Sequence, residues 1–315
     1  MEGITVCQPP LPAALVDELL VFWQDIFQTD YRLFRSILNG DEREHNRDVF
    51  YLVRDGDRTV GSCHLTFPVA DPALGGLGEV ATAPAARGRG IASELCAMAR
   101  DDFRRAGGSA LFLGTANPAA ARIYHRLGWR KLAGAHAMAH IADGRSPEAF
   151  FIDHFATGGS AIIAAGTAAA RIPMIPLILC PHDDRLLDAN AGWVSTRYAD
   201  QSSCMGLYPR YAALDAWFCA RAGDGRAVGL ASARTHGADG CQVDAFTHRL
   251  WEDAWEDLLA PAVAWAMPRG SCWMDVLCED GEKIARAEKL GFRHVGVARN
   301  VGDRTTAAVR LQKSP

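Results

Sequence analysis

Between Glu79 and Ser93 the chain reads Glu79-Val80-Ala81-Thr82-Ala83-Pro84-Ala85-Ala86-Arg87-Gly88-Arg89-Gly90-Ile91-Ala92-Ser93, a strand-like stretch that passes through a glycine- and arginine-rich loop straight into a helical pattern. A junction of this kind is an anion site. The first amides of a helix have no partner within it, and the helix dipole adds partial positive charge at the same place, so a diphosphate is a matched ligand. Gly88 and Gly90 carry no side chain that would block close approach, and Arg87 and Arg89 can donate hydrogen bonds to phosphate oxygens. A nicotinamide-binding loop is disfavoured, because Gly-x-Gly-x-x-Gly is absent and the flanking strands read as antiparallel.

Arg87-Gly88-Arg89-Gly90-Ile91-Ala92 resembles the Gln/Arg-x-x-Gly-x-Gly/Ala signature of the GCN5-related N-acetyltransferase (GNAT) superfamily. One strand later, Asn117-Pro118-Ala119-Ala120-Ala121-Arg122-Ile123-Tyr124-His125-Arg126-Leu127-Gly128-Trp129 resembles that superfamily's Asn-to-Gly-Phe/Trp block. The resemblance implies an acyltransferase with acetyl-CoA, or another acyl-CoA, as co-substrate between two splayed strands. Its diphosphate would lie on Arg87 and the amides of Gly88, Arg89, Gly90, Ile91, Ala92 and Ser93, and its pantetheine arm along Val80, Ala81 and Thr82, where Asn117 would meet it. An N–H from the same strand would hold the thioester oxygen.

By the same resemblance Tyr124 is the acid that protonates the CoA sulfur, a role suited to a phenol whose ordinary pKa is about 10. Glu79 is the carboxylate that removes the amine proton, with His64 a weaker second candidate. The bland alternatives are a Tyr124 ring packed in the core and a Glu79 carboxylate solvated at a strand edge. The implied acceptor is a small-molecule amine, in secondary metabolism or antibiotic resistance. Two other readings stand beside this one: an aminoacyl-tRNA-dependent amide-forming transferase of the same fold, and a non-catalytic acyl-CoA-binding scaffold. His136 and His140 alternate on one strand without acidic or cysteine neighbours, so no metal is expected.

The elements that must position these residues follow from periodicity. A strand at Ile4 to Cys7 precedes a helix whose Leu15, Leu19, Phe22, Trp23 and Phe27 recur at three and four, and a second helix spans Tyr31 to Leu38. Val49 to Arg54 and Val60 to Phe67 read as strands joined by a tight Asp55-Gly56-Asp57 turn, with a third strand from Gly78 to Ala83. The helix opened at Gly90 stops at Gly107-Gly108, a buried strand runs from Ala110 to Thr115, and Asn117-Pro118 caps a further helix closed by Gly128. Strands near Lys131 to Ile141 and Glu148 to Phe155 complete the first domain, 1–156.

Residues 157–173, rich in Ala, Gly, Ser and Thr, read as a linker, and 174–315 as a second domain. There a helix is expected at Leu186 to Thr196, followed by strands at Leu214 to Ala220, Ala227 to Thr235 and Cys241 to Phe246. Lys289-Leu290-Gly291-Phe292-Arg293 repeats Arg126-Leu127-Gly128-Trp129-Arg130 at a 163-residue offset, which implies duplication. The fold class is therefore α/β (α+β): two tandem GNAT-like domains, each a mixed, mostly antiparallel twisted sheet flanked by helices. At the same offset the second copy has Leu250 to Trp255 in place of the loop and Ala287 in place of Tyr124, so it reads as degenerate, with Glu252 and Asp253 expected to repel a diphosphate.

Composition bounds the function. A chain of 315 residues accommodates two domains, and 49% hydrophobic with 22% charged residues is the balance of a folded protein. A formal net charge of -4 leaves no overall positive field for nucleic acid or an anionic membrane, which argues against tRNA. Four lysines among 33 basic residues fit the codon bias of a GC-rich bacterial genome. Nine cysteines without a C-x-x-C pair, no signal-peptide pattern and no uninterrupted apolar run of membrane length place the chain in the cytoplasm. Nothing in the sequence sets an oligomeric state.

Overall fold

The first sheet grows outward from a hairpin. β2 (Asn46–Asp55) and β3 (Arg58–Pro68) pair through Asp55 and Arg58, leaving Gly56-Asp57 as the turn, with Gly56 at φ 57°. Glycine takes that left-handed conformation without steric cost. The computed structural model describes residues 3–156, 159–182, 185–192, 208–298 and 307–314. It divides into two compact units, the boundary falling inside a helix after Phe150; residues 133–135 group with the second unit.

In the first unit β1 (Ile4–Cys7), β4 (Leu74–Thr82), β5 (Ala110–Gly114), β6 (Arg130–Lys131) and β7 (Ala137–Ile141) extend the hairpin into a seven-stranded sheet of order β1-β2-β3-β4-β5-β7-β6. Only β4 and β5 are parallel neighbours. Helix α1 (Ala13–Phe27) buries Val16, Leu19, Leu20 and Trp23, and the Trp23 indole meets the rings of Phe34 and Phe50. The short α2 (Arg35–Leu38) follows it. Helix α3 (Ile91–Arg105) buries Leu95, Cys96, Ala99 and Phe103 in a cluster with Tyr51, Cys63 and Leu65, at the spacing of an amphipathic helix.

The second unit repeats this plan. β8 (Ile162–Ala165), β9 (Ala216–Arg221), β10 (Ala227–Thr235), β11 (Cys241–Thr247), β12 (Cys272–Leu277), β13 (Arg293–Ala298) and β14 (Ala308–Lys313) lie in the order β8-β9-β10-β11-β12-β14-β13. The single parallel pair, β11 and β12, falls where β4 and β5 do. The duplicated five-residue segment is the same structure twice. α4 (Pro118–Arg126) and α9 (Gly281–Lys289) end with Gly128 and Gly291 at φ 105° and 91°. The next residue, Trp129 or Phe292, donates its N–H back to Tyr124 O at 3.0 Å or Ala287 O at 3.1 Å. Arg130 and Arg293 then return a guanidinium to equivalent carbonyls, His125 O at 3.3 Å and Glu288 O at 3.4 Å.

Three expectations are corrected. Glu148 to Phe155 is not a strand: α5 (Pro147–His154) is a helix whose Ala149 N–H is accepted by Ser146 Oγ, with Pro147 in the first turn, a start signal that outweighs short-range alternation. The linker 157–173 is not free connection either, since β8 pairs with β9 and Ala170 is fully buried; residues 157 and 158 lie outside the described residues. Leu186 to Thr196 is no helix through Gly192, because Asp188 Oδ1 takes the Ala191 N–H and Asp244 takes that of Ala189, which turns the chain; 193–196 lie outside the described residues. The remaining helices are α6 (Met174–Leu179), α7 (Tyr208–Ala212) and α8 (Trp255–Ala266). Among the described residues no helix is long and apolar enough to cross a membrane.

Two histidines give the second unit an acid-sensitive core. The His248 ring stacks on Phe155 at 4.0 Å and His154 meets the same ring edge-on at 4.8 Å. Burial, reinforced by Arg226 for His154 and by His182 and Arg249 for His248, pushes both pKa values down to about 4. An unfolded chain binds these protons near pH 6.5, so stability present above 6.5 is lost as pH falls toward 4. Asp244, pushed up to about 6 by burial, works in the opposite sense between about 3.8 and 6 and offsets part of the loss. We therefore expect the urea midpoint of the second unit, read by tryptophan fluorescence, to fall between pH 7.5 and 5, and His248→Phe to flatten that slope. A midpoint independent of pH would contradict it.

Candidate active site

The glycine- and arginine-rich loop forms the mouth of α3. Arg87 is extended, Gly88 and Gly90 sit at φ 78° and 83°, and Gly90 caps the helix in the left-handed conformation. A Cβ at either glycine would meet nothing within 4 Å, so the backbone conformation and not crowding demands glycine. Glu94 makes the first intrahelical bond, to Gly90 O at 3.1 Å, which leaves the N–H groups of Ile91, Ala92 and Ser93 outside the helical ladder. The Ile91 side chain is buried, as are those of Leu95 and Cys96 below it, and this anchors the helix start. Arg87 through Gly90 are exposed; Arg87 Nε donates to Thr82 O at 3.3 Å, holding the loop to the end of β4.

Along β4 the sheet opens. The β4–β5 ladder covers only Leu74 to Gly76 against Ala110 to Phe112, beyond which the strands part. Ala83 donates to Val60 O on the β3 side, so by strand alternation the N–H groups of Val80 and Thr82 face the side that β5 has left. Opposite β3 the register slips between Ser62, paired with Ala81, and His64, paired with Gly78. The extra residue is in a bulge at Glu79, which has φ 47°. At the bulge Glu79 lies on the His64 face together with Gly78, the residue paired with His64, and its Oε2 lies 3.1 Å from Nδ1. Ser62 Oγ donates to Glu79 O at 2.6 Å and accepts from Trp23 Nε1 at 2.9 Å, which pins the bulge from behind.

Tyr124 projects from α4 into the cluster of Cys63, Cys96 and Trp129 and is 6% exposed. Burial raises its phenol well above the usual range, and Cys96, Cys63 and the Glu79 carboxylate push in the same direction. The core-packing alternative for Tyr124 therefore holds for the ring, while its hydroxyl makes no hydrogen bond among the described residues. Asn117 caps α4, Oδ1 accepting from Ala119 N at 2.9 Å and Ala120 N at 3.4 Å, which leaves its amide NH2 for another contact. Of the sequence-derived residues, the structure brings Glu79, Val80, Ala81, Thr82 and the Arg87-to-Ser93 loop onto one strand–loop–helix unit, with Tyr124 within electrostatic reach of Glu79. Sequence reading missed Asp48: its Oδ1 lies 2.8 Å from Nε2 of His64, on the ring edge away from Glu79.

The second unit closes the equivalent space with its own chain. β11 and β12 pair only at Cys241 and Gln242 before parting. Residues 186–190 run over that parting: Ala189 donates to Asp244 Oδ2 at 2.7 Å, Asn190 Nδ2 to Gln242 O at 3.0 Å, and Lys283 Nζ reaches Leu186 O and Leu187 O at 3.5 Å. Lys283 also pairs with Asp244 at 2.5 Å. The cavity left among Leu187, Phe246, Trp255 and Lys283 is about 50 Å³, room for a water or two. Glu252 is paired with Arg185 and with Arg286, which Glu256 and Glu282 also share, and the chain itself occupies this copy's opening. Ala287, at the position of Tyr124, is fully buried.

Residues 14–129 match the family model described as the acetyltransferase (GNAT) family. No curated protein matches the chain. Among solved structures, a GNAT superfamily phosphinothricin acetyltransferase from Sinorhizobium meliloti in complex with AcCoA is 14% identical over 50% of this chain and 89% of its own, at a TM-score of 0.38. A ribosomal-protein-alanine N-acetyltransferase from Brucella melitensis is 18% identical over 49% of this chain and 99% of its own, at 0.37. An acetyltransferase of the GNAT family from Streptococcus pneumoniae is 12% identical over 49% and 99%, at 0.40.

Because Gly90 adopts a conformation that costs an L side chain about 1 to 2 kcal/mol, Gly90→Val should lower stability by that amount. Asn117→Ala should cost about 1 kcal/mol through the lost cap, and Asn117→Asp much less. Urea unfolding reads both; an Asn117→Asp as destabilised as Asn117→Ala would show that the cap is not what the side chain provides.

Proposed function

We propose that this chain, whose residues 14–129 match the acetyltransferase (GNAT) family model, transfers an acetyl or other short acyl group from acyl-CoA to the amine of a small molecule. The first unit, up to Phe150, is then the catalytic domain and the second unit a degenerate copy. The observation that carries this reading is the parting of β4 from β5 beyond Gly76, with α3 amides outside the helical ladder at its end and a buried carboxylate, Glu79, at a bulge on the same strand.

Acyl-CoA supplies the activated thioester. Arg87, Arg89 and the amides of Gly88 to Ser93 suit its diphosphate, and the N–H groups of Val80 and Thr82 suit its carbonyls. Glu79 takes a proton from the acceptor's ammonium, which makes the nitrogen a nucleophile. Tyr124 keeps its proton at neutral pH, since burial raises its pKa, and can give it to a departing thiolate that the same desolvation makes more basic. An ammonium acceptor loses two protons in all, one accounted for by the new thiol and one released to solvent. Eight described cysteines, all free thiols, suit the reducing cytoplasm, and a small amine acceptor suits secondary metabolism or antibiotic resistance.

Calorimetry with acetyl-CoA should give binding heat, and a thiol-release assay over an amine panel should give turnover. Glu79→Gln and Tyr124→Phe should each lower kcat by about 10²-fold with little change in KM for acetyl-CoA. Absence of binding heat, or wild-type turnover in both variants, would sink the assignment.

A further inference from the structure

Behind Glu79 a second carboxylate is held through a ring. His64 is fully buried, with Nδ1 at 3.1 Å from Glu79 Oε2 and Nε2 at 2.8 Å from Asp48 Oδ1, and the two carboxylate side chains are 1% and 4% exposed. Phe50 stacks on the imidazole at 4.3 Å and 9°, and Phe34 meets it edge-on at 5.4 Å. The ring can neither tilt nor flip without displacing both phenyls. Three ionisable groups buried side by side cost stability unless each is satisfied by the others. Two hydrogen bonds among them need two protons, and an imidazolium between two carboxylates, or a neutral ring beside one protonated carboxyl, supplies that number. Either arrangement gives the array a net charge of −1, the sign that favours an ammonium acceptor at the Glu79 end.

The geometry points to Asp48 and His64 as positioning residues for the acyl transfer: Asp48 fixes the orientation of the His64 ring, and Nδ1 of that ring holds Oε2 of Glu79, which sets the direction of the carboxylate. The inference rests on the reading of Glu79 as the base. It adds that the carboxylate cannot be placed by the left-handed bulge alone, because φ fixes the Cα–Cβ direction while the outer torsions of a glutamate remain free.

The test uses two replacements of one residue. An asparagine at 64 places its amide nitrogen where Nδ1 is and keeps the donor to Glu79. A glutamine places its amide nitrogen where Nε2 is and keeps only the Asp48 contact. His64→Asn is expected to retain kcat within about threefold, and His64→Gln to lose about 10- to 100-fold, the scale of a misplaced catalytic group, with KM for acetyl-CoA unchanged in both. A purely structural role would affect the two alike, so equal losses, or an unimpaired His64→Gln, overturn the inference. Ring ¹⁵N shifts of His64 in the full chain provide a readout without turnover: Nδ1 should respond to Glu79→Gln and Nε2 to Asp48→Asn, and a ring indifferent to both also overturns it. Wild-type turnover in Glu79→Gln would strike instead at the base assignment, while the ring shifts still decide the array.

Discussion

A glutamate at φ 47° inside a strand costs of the order of 1 to 3 kcal/mol, and it persists only where its surroundings over-determine it. Here three contacts do so. Ser62 holds the carbonyl, Trp23 holds Ser62, and His64 holds the carboxylate. They come from two elements of the first unit, Trp23 from α1 and the other two from β3. The strain at one residue thus draws on the packing of α1 against the sheet, and the same bulge changes which face β4 presents beyond it.

The two sheets share strand order, the position of the parallel pair and the parting of that pair, yet their openings have different contents. In the first unit the opening is flanked by backbone amides and a loop of small and basic residues. In the second it is crossed by residues 186–190, whose backbone groups are satisfied by Asp244, Lys283 and Gln242. A parted parallel pair exposes unsatisfied amides and carbonyls, and a fold must supply partners for them. The second copy meets that need with its own chain, through residues 186–190.

Much of the first unit was legible because its signals are local. The Asp-Gly turn, the Asn-Pro cap and the glycines that stop α3 and α4 act through neighbours in sequence, and the elements they bound fall within a few residues of expectation. The glycine-rich turn into α3 was legible for the same reason. Asp48 was not. Counting back from the Asp55–Arg58 turn pairs Asp48 with Leu65 and sets it on the face opposite His64; a bulge between Val53 and Arg54 shifts the pairing to Thr66 and brings the two together. The single inserted residue, Val60 on β3, reverses the facing of the two strands beyond it, and nothing in the composition of β3 announces it. In the second unit, Leu186 to Gly192 has the apolar content of a helix, but Asp188 and the distant Asp244 take the amides a helix would have used.

Arg130 and Arg293 make the same hydrogen bonds at the same turn, one in a unit with Tyr124 and the other in a unit with Ala287 in its place. What descended unchanged is the joinery of helix to strand, where a glycine, an aromatic plug and a guanidinium clasp keep the sheet's last strands in line. The side chain beside it was free to differ. A Gly–aromatic–Arg ending repeated in both units is therefore a record of scaffolding, present whether a tyrosine or an alanine stands five residues before the aromatic.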